Sequence, residues 1–92
     1  MYLEIVSPEA TLFTGEVTAV TLPGIDGEFQ ILKNHSPIIS LLQEGKVKIK
    51  GNIVVDGTHQ DKFSKTANGD TVLHISSGTV EMKGNKVIVL AD

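Results

Sequence analysis

The chain has 92 residues, a formal net charge of −3, 40% hydrophobic and 21% charged residues, and no cysteine. That length holds one domain around one core and no second lobe. The composition argues against disorder, and the missing cysteines exclude disulfides, thiolate metal sites and cysteine nucleophiles.

Charge is unevenly spread. Residues 1–32 carry five acids (Glu4, Glu9, Glu16, Asp26, Glu28) and no lysine, whereas residues 33–65 carry six lysines against Glu44, Asp56 and Asp61. All eight basic residues are lysines, and there is no Trp. Nucleic-acid sites lean on arginine forks and stacked aromatics, so a nucleic-acid partner is not expected. No apolar run approaches the ~20 residues of a membrane span. Met1 leads directly into Tyr-Leu-Glu-Ile-Val with no signal-peptide pattern, which gives an expected cytoplasmic location.

In chain order, Leu3 and Ile5 alternate with Tyr2, Glu4 and Val6, which predicts a strand with one buried face. Ser7-Pro8-Glu9 ends it, and Thr14-Gly15-Glu16 predicts a second break. Glu16 to Leu22 is rich in Val and Thr, which suit a pleated surface. The organising stretch follows, from Leu22 to Leu42. It opens with a turn at Pro23-Gly24 and Asp26-Gly27, runs through Phe29, Ile31 and Leu32, and breaks again at Lys33-Asn34-His35-Ser36-Pro37. It closes on Ile38, Ile39, Leu41 and Leu42. Gly45 turns the chain into Lys46–Lys50, a period-two strand with Val47 and Ile49 inward. Ile53 to Val55 predicts a further strand, closed by the hairpin dipeptide Asp56-Gly57. Thr58 to Thr66 is polar and predicts an edge strand or long hairpin arm. After the Asn68-Gly69-Asp70 turn come strands at Thr71–Ser76 and Thr79–Met82, a tight turn at Gly84-Asn85, and a last strand at Lys86–Leu90. About ten short strands between Gly-containing turns predict an all-β fold, an antiparallel β-sandwich or flattened barrel occupying residues 1–92 as a single domain.

The residues offer little chemistry. His35, His59 and His74 lie too far apart in sequence to share ligand spacing, so no metal is expected. Ser36 or Ser40 with His35 and Asp26 could be arranged as a triad on paper, but nothing poises a nucleophile. No glycine loop opens a helix to hold phosphate, so no cofactor is expected. Surface recognition remains. Asp26, Glu28 and His35 supply charge for orientation beside the apolar area of Ile38 and Ile39. Strand alternation prevents the whole block from being core: if Ile39 and Leu41 point in, Ile38, Ser40 and Leu42 point out.

Ordered pieces of this chain resemble the amino-terminal β-sandwich domain of the epsilon subunit of F-type ATP synthase. They are Ile5-Val6-Ser7-Pro8-Glu9, Leu12-Phe13-Thr14-Gly15-Glu16-Val17, Leu22-Pro23-Gly24 with Gly27-Glu28-Phe29, His35-Ser36-Pro37-Ile38-Ile39, Glu44-Gly45, Ile75-Ser76-Ser77-Gly78 and Val87–Asp92. The resemblance implies a ten-stranded sandwich at the foot of the rotor stalk. It implies a non-catalytic subunit that binds the gamma subunit and the c-ring of a proton- or sodium-translocating enzyme. Membrane association would come only through the complex, on the cytoplasmic face of the inner (plasma) membrane. By the same resemblance Asp26 and Glu28 approach the c-ring, with Glu28 the first choice for a ring contact. His35, Ile38 and Ser40 lie near gamma and the ring. Family members usually continue past the Leu-Ala-Asp end into a two-helix domain that inhibits hydrolysis, so a chain ending at Asp92 is expected to lack helix-mediated inhibition. Ser77 stands where glycine is commoner, and Gly51 to Asp70 is less typical and is expected to form a longer hairpin. The alternative from another class is a stand-alone sandwich that binds a small ligand or carbohydrate, against which stands the shortage of aromatic platforms.

Overall fold

A computed structural model describes all residues, Met1–Asp92. It contains ten strands: β1 (Tyr2–Val6), β2 (Thr11–Glu16), β3 (Ala19–Gly24), β4 (Gly27–Leu32), β5 (Ile38–Leu42), β6 (Gly45–Lys50), β7 (Phe63–Lys65), β8 (Thr71–Ile75), β9 (Gly78–Lys83) and β10 (Lys86–Ala91). The only helical element is a single 3-10 turn at Gln60–Lys62. The strands pair in the order β2-β1-β10-β9-β5-β3-β6-β8-β7, with β4 branching from β3. The sheet curls on itself, and its inner face carries the core.

Alternation decides what fills that core. Leu3 and Ile5 on β1, Val20 and Leu22 on β3, Val47 and Ile49 on β6, and Val87 and Val89 on β10 are all fully buried. Each pair sits two residues apart on one strand and so shares one face. Lys46 and Lys50 point away from it and stay exposed. The sandwich is antiparallel throughout except at one place: β1 and β10, the two ends of the chain, run parallel, with Leu3 opposite Val87 and Ile5 opposite Val89. The expected all-antiparallel pairing is corrected there. Such a pair needs no hairpin, because the whole intervening chain serves as its crossover.

Three local expectations are also corrected. The Thr14-Gly15-Glu16 break is absent. These residues pair with Glu4, Leu3 and Tyr2, and β2 runs on to Glu16. A Cβ at Gly15 would lie 3.1 Å from the Phe13 ring, so the glycine leaves room for that ring rather than breaking the strand. The chain turns one step later, where Val17 N–H donates to Met1 O and Thr18 N–H to Lys50 O.

Ile53 to Val55 is not a strand. Ile53 and Val55 pack against the core, while Val54 is 88% exposed. The apolar alternation is real, but both edges of β6 are already taken by β3 and β8, so the segment cannot fold back as a hairpin onto β6, and it forms no ladder with another strand. Asp56-Gly57 accordingly closes no hairpin. The Asp56 carboxylate accepts from Thr58 N–H at 3.1 Å and the chain enters the 3-10 turn. Of the polar stretch after it, only β7 forms a strand, at the sheet edge beside β8.

Candidate functional site

The outward residues of β5 follow from its register with β9. Ile38, Ser40 and Leu42 lie opposite Met82, Val80 and Gly78, whereas Ile39 and Leu41 lie opposite Glu81 and Thr79. Cross-strand partners share a face. Met82 and Val80 are core residues, so Ile38 and Leu42 turn inward. Ile39 and Leu41 then face solvent, 78% and 60% exposed. The exposed apolar row on β5 is therefore Ile39 and Leu41, while Ile38, which packs against the core, and Ser40 are half-buried. The deciding signal was legible in β9, where Glu81 separates two apolar residues.

The β3–β4 hairpin supplies the acids. Gly24 pairs with Gly27 and Pro23 with Glu28, so Glu28 lies in β4 rather than in the loop. A Cβ at Gly24 would approach Gly27 O and the Phe29 ring to 2.8 Å, so only glycine allows this tight closure. Gln43, just after β5, clamps the hairpin, its N–H donating to Pro23 O at 2.9 Å and its Nε2 to Gly24 O at 3.0 Å. Ile25 and Asp26 form the tip, both exposed, with Ile25 at 56%. Ile25 escaped the sequence reading, although an isoleucine inside a Gly-Ile-Asp-Gly turn has no core to enter and is itself a signal. The Glu28 carboxylate lies 3.1 Å from Lys48 Nζ on β6, so one of the two acids is already partnered within the chain.

A groove of about 540 Å³ separates this hairpin from β5, lined on one side by Ile25, Asp26 and Glu28 and on the other by Ile38, Ile39, Ser40 and Leu41. A second hollow, of about 650 Å³, shares Ile25 and Leu41 with it and continues past Leu90 to Val6 and Pro8. The two meet in one largely apolar surface, acidic at the hairpin end and again at Asp92.

His35 is not part of the groove. It sits beyond the far end of β4, in the loop before β5, with its N–H donating to Leu32 O at 3.1 Å and its Nδ1 2.7 Å from Ser36 O. β4 spans six residues, or roughly 20 Å at the usual strand rise. Asp26 and Glu28 thus mark one end of the surface and His35 the other, with Ile39 and Leu41 between. His35, Ser40 and Asp26 do not converge into a triad. Ser77, at the turn into β9, donates its hydroxyl to the Asp92 carboxylate and closes that turn onto the last residue.

The family described as the beta-sandwich domain of the ATP synthase delta/epsilon chain matches residues 1–92. The ATP synthase epsilon chain of Chlorobium limicola is 38% identical over 90 residues, covering 98% of this chain and 86% of that one. That of Campylobacter fetus subsp. fetus is 40% identical over 92 residues, and this chain spans 60% of its length. Among solved structures, a chain of the central stalk/c-ring structure of Tetrahymena thermophila mitochondrial ATP synthase superposes with a TM-score of 0.72 at 15% identity, covering 99% of this chain and 62% of that one. A chain of the Euglena gracilis mitochondrial ATP synthase gives 0.72 at 17% identity, over 97% and 48%. These two share the fold, while the match along the whole sequence and the bacterial relatives carry the assignment. The chain belongs to the ATP synthase delta/epsilon chain beta-sandwich family.

Proposed function

We propose that residues 1–92 act as one rigid unit of the central stalk of a proton- or sodium-translocating F-type ATP synthase, joining the gamma subunit to the c-ring. Epsilon chains are non-catalytic subunits of the rotary complex, and the task asked of this one is mechanical. Torque passes through a body that must not shear, between two interfaces that must not slip. A curled sheet with its two chain ends paired in parallel at β1–β10 suits that demand. No helix of the chain is long and apolar enough to cross a membrane. In this reading it reaches the membrane through the complex, on the cytoplasmic face.

One observation carries the reading: an exposed apolar row, Ile25, Leu41 and Ile39, bounded by the acidic tip at Asp26 and Glu28 in a chain of this family. The tip presents negative charge to the polar loops of the ring. The row, with Ser40 beneath it, His35 at its far end and Ile38 supporting it from the core side, faces gamma. Two interfaces of ordinary size, ~800 Å² each, would engage a large share of so small a body, which accounts for large aliphatic side chains left in water. The open hollows contain no Trp or Tyr, which weakens the carbohydrate-binding alternative.

The test is site-specific photo-crosslinking in membranes containing the assembled enzyme. A photoreactive residue at Ile39 is expected to capture gamma, and one at Asp26 the c subunit. Capture of neither from assembled complexes would overturn the assignment of this surface.

A further inference from the structure

Two asparagines 51 positions apart grip one another across the end of the molecule. Asn34 N–H donates to Asn85 Oδ1 at 2.9 Å, and Asn85 Nδ2 donates to Asn34 Oδ1 at 3.1 Å. Both hold left-handed backbone, with φ of 66° and 61°, and they are the only residues other than glycine that do so. Asn85 is anchored independently. It follows Gly84, also at positive φ, in the two-residue turn between β9 and β10, and its carbonyl accepts from Tyr2 N–H at 2.9 Å. Asn34 has no such ladder beside it. Its loop, Lys33 to Pro37, is an exposed connection between β4 and β5, closed locally by the backbone bond from His35 N–H to Leu32 O and by the short-range contact of His35 Nδ1 with Ser36 O.

We propose that Asn85 is a positioning residue for partner binding: through Asn34 it holds the loop that carries His35 in its binding conformation before the partner arrives. The proposal rests on the reading of His35 and β5 as a partner surface. The physical reason is pre-organisation. A loop free in solution must be ordered when it docks, and the affinity falls by the fraction of molecules already in the competent conformation. The reciprocal pair ties the adjacent His35, and the entry into β5, to a turn that β1 already fixes. The pair contributes no contact of its own to the groove, whose lining includes neither asparagine.

The test uses Asn85→Gly and Asn34→Gly in the full chain. Glycine accepts positive φ, so both turns keep their backbone; Asn85→Gly loses both bonds, whereas Asn34→Gly loses only the bond from Asn85 Nδ2 and keeps the one from its own N–H. Three quantities are measured on each variant: melting temperature, ¹⁵N relaxation along the whole backbone, and affinity for the isolated gamma subunit. His35→Ala and Asn85→Asp are measured alongside. For Asn85→Gly the expected result is unchanged melting within a few degrees, raised mobility confined to residues 33–37, and a roughly tenfold loss of affinity if the competent loop falls to about a tenth of the population. Asn85→Asp and Asn34→Gly both keep the bond from residue 34 N–H to Oδ1 of residue 85 and are expected to fall between wild type and Asn85→Gly. If His35→Ala weakens binding while both glycine variants bind as wild type, the positioning role is overturned and the partner surface stands. If His35→Ala also leaves binding unchanged, the partner reading fails and the positioning role fails with it. Melting lowered as much as by a core truncation would make the pair a structural staple and overturn the proposal as well.

Discussion

Replacing Ile39 and Leu41 together with threonine separates what holds the fold from what meets a partner. Threonine is β-branched and suits an exposed strand position, so the change removes apolar surface without opposing the strand. The two side chains are 78% and 60% exposed in the isolated chain. Full burial of an aliphatic side chain of this size stabilises by ~2 kcal/mol, and scaling by the exposed fractions gives ~1.5 and ~1 kcal/mol still available to a partner. Even half of that ~2.5 kcal/mol, realised in the complex, corresponds to a loss of nearly tenfold, and all of it to several tens of fold. The folding free energy should change by less than ~1 kcal/mol, as for surface positions in general. Val89→Ala is the control. Val89 is fully buried, and its truncation should cost ~2 kcal/mol in folding and leave the binding surface in place. Urea unfolding gives the first quantity, and surface plasmon resonance against gamma gives the second. A double variant destabilised as much as Val89→Ala would mean that the row is part of the core. A stable double variant binding with unchanged affinity would mean that the row touches nothing.

Two other perturbations discriminate further. Gly78→Ala should destabilise the chain by ~2–3 kcal/mol in urea unfolding, because its Cβ would sit 2.3 Å from Leu90 O, a backbone atom fixed in the β9–β10 ladder. Equal midpoints for the two proteins would show that the ladder gives way freely there. Glu28→Lys loses the 3.1 Å partnership with Lys48, which is partly exposed and worth only ~0.5 kcal/mol. Its melting temperature should therefore barely move, while its attachment to the c-ring, measured by co-sedimentation at low salt, should weaken by charge reversal. Unaltered co-sedimentation would count against an acidic contact with the ring.

What was legible in the sequence, and what was not, follows from the range of the interactions. The alternation of Lys46 to Lys50 placed Val47 and Ile49 inward without knowledge of any neighbour, because a strand's period is a local property. The face shown by β5 was not local. Ile38-Ile39-Ser40-Leu41-Leu42 is apolar on both faces, and only its pairing with Val80 and Met82 decides which side is core. The parallel pairing of β1 with β10 joins the two ends of the chain and leaves no turn signature between them. The segment after Gly51 misled for a related reason: Ile53 and Val55 have a strand's pattern, but the edges of β6 that a hairpin would use are taken by strands distant in sequence.

The same division holds for the site. The turn chemistry of Asp26-Gly27 and the acids beside it could be read directly. The groove between the hairpin and β5 could not, because it depends on Gln43 holding Pro23 and Gly24 in place. The Asn34–Asn85 pair was equally hidden. Each asparagine sits at a readable turn, but the hydrogen bonds between them exist only once β4 and β10 have been brought to the same end of the molecule.

The central claim is that this chain works as a rotor subunit held between two partners. Its most direct test is co-purification of the tagged chain from membranes of its source organism, with the recovered proteins identified and quantified by mass spectrometry. The account predicts gamma and c subunits in stoichiometric amounts. Recovery of the chain alone, from membranes shown to contain assembled ATP synthase, would contradict it.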